Sequence, residues 1–111
     1  MLGKLSEIEE KAVKEFSRDL RSFSGKNIKQ ILLFGSKARG NFNKESDVDL
    51  FILVGQSDSV IRKKVASFTT KILLNYSILL SPKIVEQSHF SFLKQLETAF
   101  AKNIEKDGIK I

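Results

Sequence analysis

The run Ile28 to Phe34 most constrains what this chain can become. It is too short for a helix and ends in a nearly unbroken apolar stretch, the pattern of a strand buried on both faces. A second run, Asp47 to Val54, is bounded by Gly55 and reads the same way, except that it opens on two acids. A chain with two such strands must cover them. Upstream, Leu5, Ile8, Ala12, Val13, Phe16, Leu20 and Phe23 recur at steps of three and four, marking one face of an amphipathic helix. Ser6 and Glu9 form a capping box at its start, and Ser24-Gly25 ends it.

Downstream, the spacing of Ile61, Val65, Phe68, Ile72 and Leu73 predicts a helix from about Ser59 to Leu74. Ile78 to Val85 reads as a third strand, and Pro82 within it implies that the strand is short or lies at an edge. Ser88 caps a last helix to about Asn103, striped by Phe92, Leu93, Leu96 and Phe100, and Ile109 to Ile111 form an extended tail. Asn41 to Ser46 is polar and irregular. The order helix, strand, strand, helix, strand, helix gives a small α+β fold, a mixed sheet with helices packed on one side. With 111 residues and no linker or repeat, residues 1–111 make a single domain.

Composition narrows the chemistry. Without cysteine there is no disulfide scaffold, thiolate zinc site or cysteine nucleophile. A single histidine, His89, builds no histidine metal cluster. No apolar run is long enough to span a bilayer, and the N-terminus lacks a signal-peptide core, so the expected location is the cytoplasm, off the membrane. The net charge of +6 falls entirely in residues 25–111, which favours polyanionic partners. Fifteen of the 19 basic residues are lysine, however, and no aromatic-basic platform is readable, so nucleic acid is not the favoured partner.

The chemistry concentrates in Phe34-Gly35-Ser36-Lys37-Ala38-Arg39-Gly40 and Ser46-Asp47-Val48-Asp49-Leu50. Alternate strand residues share a face, so Asp47 and Asp49 project together while Val48, Leu50 and Ile52 enter the core. Paired carboxylates repel unless a hard divalent cation sits between them, and Mg²⁺ accepts one or two carboxylates plus substrate phosphates. Gly35 and Gly40 permit close backbone approach, and a short helix starting at Ser36 offers N–H groups to phosphate. The two glycines have P-loop spacing, but Asn41-Phe42 stands where that motif needs Lys-Ser/Thr.

The ordered set Gly35-Ser36, Gly40, Asp47 and Asp49 resembles the nucleotidyltransferases related to DNA polymerase beta. The wording around it looks most like the minimal nucleotidyltransferases, small prokaryotic proteins often paired with helical HEPN partners. The resemblance implies a polymerase beta palm-like fold and Mg²⁺-dependent transfer of a nucleoside monophosphate, AMP from ATP or another NTP, to a hydroxyl acceptor. It implies that Gly35, Ser36, Arg39 and Gly40 attend the phosphates and that Asp47 and Asp49 are the catalytic metal ligands. It also implies a third carboxylate on the next strand. There the chain shows Ser81 and Pro82, and Glu86 just beyond is the nearest acid. Two readings follow: an enzyme that modifies a HEPN-type partner, or a catalytically weak or inactive antitoxin-like binding module for such a partner. The sequence leaves self-association into a homo-oligomer open.

Overall fold

The computed structural model describes residues 3–40 and 47–111, so the segment Asn41 to Ser46 lies outside the described residues. The chain runs α1 (Glu7–Ser24), β1 (Ile28–Phe34), α2 (Ser36–Arg39), β2 (Val48–Val54), α3 (Ser59–Tyr76), β3 (Leu80–Glu86), α4 (Gln87–Gln95), α5 (Ala99–Asp107) and β4 (Ile109–Lys110). The capping box predicted for α1 is present: Ser6 Oγ accepts from the Glu9 N–H at 3.2 Å and Glu9 Oε1 from the Ser6 N–H at 2.9 Å. α3 is capped one residue before the expected start, by Asp58, whose carboxylate accepts the Ile61 N–H at 2.9 Å.

The sheet is mixed, in the order β3-β2-β1-β4. β1 pairs antiparallel with β2 and with β4, whereas β2 and β3 run parallel, joined through α3. Pro82 sits on the edge strand, where a missing N–H is tolerated. The expected extended tail is paired: Leu32 and Leu33 face Lys110 and Ile109.

Strand alternation sorts the core into two clusters. Ile31, Leu33, Val48, Leu50, Ile52 and Val54 pack with Phe16 and Leu20 of α1 and Ile61, Val65 and Ile72 of α3. Leu32, Phe51 and Leu53 point the other way, to Phe90, Ala101 and Ile104 of α4 and α5. Helices therefore cover both faces of the sheet, not one. The physical reason lies in β1 and β2 themselves, whose unbroken apolar runs leave large side chains on both faces to be buried.

The single last helix expected from Ser88 is two. Glu97 turns the chain at φ +54, and Thr98 Oγ1 accepts the Ala101 N–H at 3.2 Å to start α5. The expected stripe splits with it. Phe92 on α4 and Leu96 just past its end are exposed, while Phe100 packs edge-on against Phe34 with ring centroids 6.2 Å apart.

Candidate functional site

β1 delivers the chain to Gly35, and its partner β2 begins opposite, with Phe34 paired to Asp49. Gly35 has φ +75 and ψ −156, a region essentially reserved for glycine. It starts the four-residue helix α2, which Gly40 closes at φ +87 with its N–H donating to Ser36 O at 2.7 Å. The short helix expected at Ser36 is thus present.

Space requires glycine at 35 as much as torsion does. A methyl group there would enter the Asp49 carboxylate, standing 3.1 Å from its Cγ and 3.2 Å from its Cβ. The backbone of the bend and the carboxylate are in direct contact. Asp47 precedes β2 and is exposed; Asp49 is half-buried. Alternation puts both on the face of Phe51 and Leu53, the α4/α5 side.

The electrostatics follow from that crowding. Burial, and next the charge of Asp47, push the Asp49 carboxyl above its ordinary value. Lys83 and then Arg39 act the other way. Neighbouring carboxylates open to solvent at Asp47 have oxygen-donor chemistry that suits a hard divalent cation completed by substrate phosphates. No group of three or more acidic, histidine or cysteine ligands occurs among the described residues.

β3 forms the third wall. Ser81 pairs with Asp49 and Lys83 with Phe51, so both share the Asp49 face. Glu86 is not brought to the site. It pairs with Val54, five residues along the strand from Ser81 and therefore roughly 17 Å away, where it precedes α4. A strand cannot bend its last residue back to its first, so Glu86 is not the third carboxylate.

Sequence reasoning missed Lys37. It is 2% exposed, although it sits in a four-residue surface helix. Its Nζ meets Glu9 Oε2 at 2.9 Å, so the acid that caps α1 also holds α2. Lys4 donates its N–H to Lys37 O at 3.1 Å. The partners are 28 residues apart, and no local pattern signals the pair.

Other singled-out residues fall outside the site. The Arg62-Lys63-Lys64 cluster lies on α3 beyond the far end of β2, and Lys64 covers the rings of Phe23 and Phe68. Tyr76 donates its hydroxyl to Glu15 Oε1 at 3.0 Å. His89 is exposed on α4, and Phe90 packs on Phe51 at 5.0 Å. A cavity of about 380 Å³ under α4 and α5, lined by Gln30, Leu53, Gln87 and Lys94, opens at the sheet end remote from Asp49. Among the described residues no helix is long and apolar enough to cross a membrane.

Comparison with known proteins agrees with this fold. Residues 19–111 match the family model described as polymerase beta, nucleotidyltransferase. Two Methanocaldococcus jannaschii proteins, "Putative protein adenylyltransferase MJ0604" and "Putative protein adenylyltransferase MJ0141", are 41% and 33% identical over 100 residues each. The alignments cover 90% and 89% of this chain and 94% of each relative. A Sulfolobus solfataricus structure described as a "putative nucleotidyltransferase" superposes with a TM-score of 0.56 at 17% identity, over 99% of this chain and 90% of that one. A toxin-antitoxin structure with AMP-PNP superposes at 0.54 and 18% identity, over 87% and 70% of the two chains. The MntA-HpeT toxin-antitoxin gives 0.54 at 16%, over 87% and 69%. These structural likenesses support the fold.

Proposed function

The chain belongs to the polymerase beta nucleotidyltransferase family, and on that premise we propose that it transfers AMP from ATP, with Mg²⁺, to a hydroxyl group on a HEPN-type partner protein. The observation that carries this reading is the contact of Gly35 with the Asp49 carboxylate. It supports reading the bend and the acidic pair as one site.

In this reading Gly35, Ser36 and Gly40 seat the β- and γ-phosphates against backbone, and Arg39 offsets their charge. Asp47 and Asp49 hold Mg²⁺ by carboxylate oxygens. When bound, that ion polarises the phosphoryl oxygens and stabilises charge on the attacking and leaving oxygens. Lys37 keeps the bend in register by anchoring α2 to α1 through Glu9. The names of the relatives favour a protein acceptor and AMP. The toxin-antitoxin neighbours favour a partner chain.

The test is incubation with labelled ATP, Mg²⁺ and the co-purified partner. Label should reach the partner with wild type and fail with Asp49→Asn. A melting temperature that ATP and Mg²⁺ raise in wild type, and not in Asp49→Asn, checks the site without any partner. Equal labelling by both proteins would sink the reading.

One observation favours a second reading. Ser81 and Lys83, not an acid, face the pair from β3. A catalytically weak or inactive, antitoxin-like module would bind its partner unchanged after Asp47→Ala and Asp49→Ala, and wild type would transfer little or no label.

A further inference from the structure

The end of the sheet presents its parts in a fixed order. The bend follows β1, Asp49 is on β2, and β3 is the outer edge. A nucleotide with its β- and γ-phosphates on the bend puts its α-phosphorus at the carboxylates. Displacement at phosphorus is in line, with the attacking and leaving oxygens on opposite sides. The leaving pyrophosphate lies toward β1, so the acceptor hydroxyl arrives from the β3 side.

On that side Lys83 is the one charged residue that β3 sets on the Asp49 face. It lies diagonally across from Asp49, roughly 7 Å between Cβ atoms, with Ser81 between it and the strand's start. Its exposed stem leaves the ammonium free to swing over Ser81. Lys14, Arg18, Lys37 and Lys71 are held in ion pairs within 4.0 Å, and among the described residues Lys83 is in none of these. Its positive charge is nevertheless felt at Asp49.

We propose that Lys83 is a catalytic residue whose ammonium contacts the non-bridging oxygens of the α-phosphoryl group as charge develops there. This rests on the nucleotidyl-transfer reading above. In the step, the acceptor oxygen forms a bond to the α-phosphorus. The bond from that phosphorus to the oxygen bridging to the β-phosphate breaks, and pyrophosphate leaves with the electron pair. The acceptor's proton passes to water, and Lys83 stays protonated throughout. A cation that meets the reacting phosphoryl group, and not the bend-bound phosphates, raises turnover more than affinity.

A lysine on an edge strand also deters edge-to-edge aggregation, so the test must separate the two roles. Pyrophosphate release from ATP and Mg²⁺ in the presence of the co-purified partner is followed for wild type, Lys83→Met, Lys83→Arg and Asp49→Asn, with the dissociation constant of α,β-methylene-ATP measured for each. Lys83→Met should lose on the order of 10²-fold in kcat with nucleotide affinity unchanged within about twofold. Lys83→Arg should recover part of the loss. Because the side chain is exposed, all Lys83 variants should keep the wild-type melting temperature. Active wild type, inert Asp49→Asn and fully active Lys83→Met would overturn the role of Lys83 and leave the nucleotidyl-transfer reading standing. Equal losses in kcat and affinity would also overturn it. Wild type that neither binds the analogue nor releases pyrophosphate overturns both.

Discussion

The two ends of the β1–β2 pair are built on opposite terms. At the end where β1 starts, Asn27 closes the gap completely. Its Oδ1 accepts the Gln56 N–H at 2.8 Å, its Nδ2 donates to Gln56 O at 2.7 Å, and its backbone carbonyl accepts the Gly55 N–H at 2.9 Å. Polar groups there satisfy one another. At the other end, Asp47 and Asp49 face the same way and repel, Gly35 is held at positive φ, and Lys37 is buried to anchor the bend. The first end stabilises the fold. The second costs stability locally, which is a common property of functional sites.

The sharpest break in that contrast is Asp49→Asn. The amide keeps the shape and loses the charge. We expect nucleotidyl transfer to fall by roughly 10³-fold or more, equivalent to about 4 kcal/mol of lost charge stabilisation. Because burial and Asp47 both disfavour the ionised carboxylate, the same change should leave the melting temperature unchanged or raise it. Thermal melts beside label-transfer rates check both halves. A variant that unfolds early and works normally would invert the comparison.

Glu9→Ala attacks the anchor of the Asp49 end. It removes a partner of buried Lys37 and of the Ser6 N–H together. Lys37 keeps a further interaction, so the loss should lie at the lower end for a broken buried pair, about 3 kcal/mol by denaturant titration. The pH dependence has a definite sign. Burial opposes ionisation of Glu9, but the Ser6 N–H bond and the Lys37 ammonium outweigh it and hold the carboxyl below its ordinary value. Its contribution is therefore complete above the unfolded carboxylate range and is lost as pH falls through the lower folded value. Glu9→Ala should show a shallower acid loss than wild type.

Gly35→Ala strikes both features of the bend. The methyl group strains a glycine-only conformation by about 1–3 kcal/mol and displaces the Asp49 carboxylate. A misplacement of about 1 Å at a reacting centre typically costs on the order of 10²-fold in rate, about 2.7 kcal/mol. Adding Asp49→Asn should make the glycine change nearly silent in activity, since both act on one group.

How much of this was legible depended on distance along the chain. The Gly35-Ser36 bend, Asp47 and Asp49 lie within 15 residues, and strand alternation alone puts both acids on one face. The α1 capping box is equally local. The end of the chain was less readable because Phe92, Leu96 and Phe100 fit one helical period. Thr98 as a cap, with Glu97 at positive φ, was the competing signal that won. Glu86 looked available as a third acid because sequence proximity to β3 says nothing about register. Pairing Asp49 with Ser81 puts Glu86 opposite Val54. The burial of Lys37 was not legible at all, since it depends on α1 folding across the start of α2.

The smallest effect tests the quiet end. Asn27→Ala removes two side-chain hydrogen bonds at an exposed junction. Both freed Gln56 groups can turn to water, so the cost is that of net bond loss and not of burial, about 1–2 kcal/mol in all. The β1–β2 register shifts between Ile28 and Gln30, next to this junction, so the added disorder has an irregularity to absorb it before it reaches Leu33 and Phe34. Turnover and nucleotide affinity should therefore match wild type at temperatures well below the melt. Such a variant isolates stability from chemistry, just as Asp49→Asn isolates chemistry from stability. A tenfold fall in kcat for Asn27→Ala at unchanged folded fraction would mean that the two ends are mechanically coupled through β1, and the division of labour between them would fail.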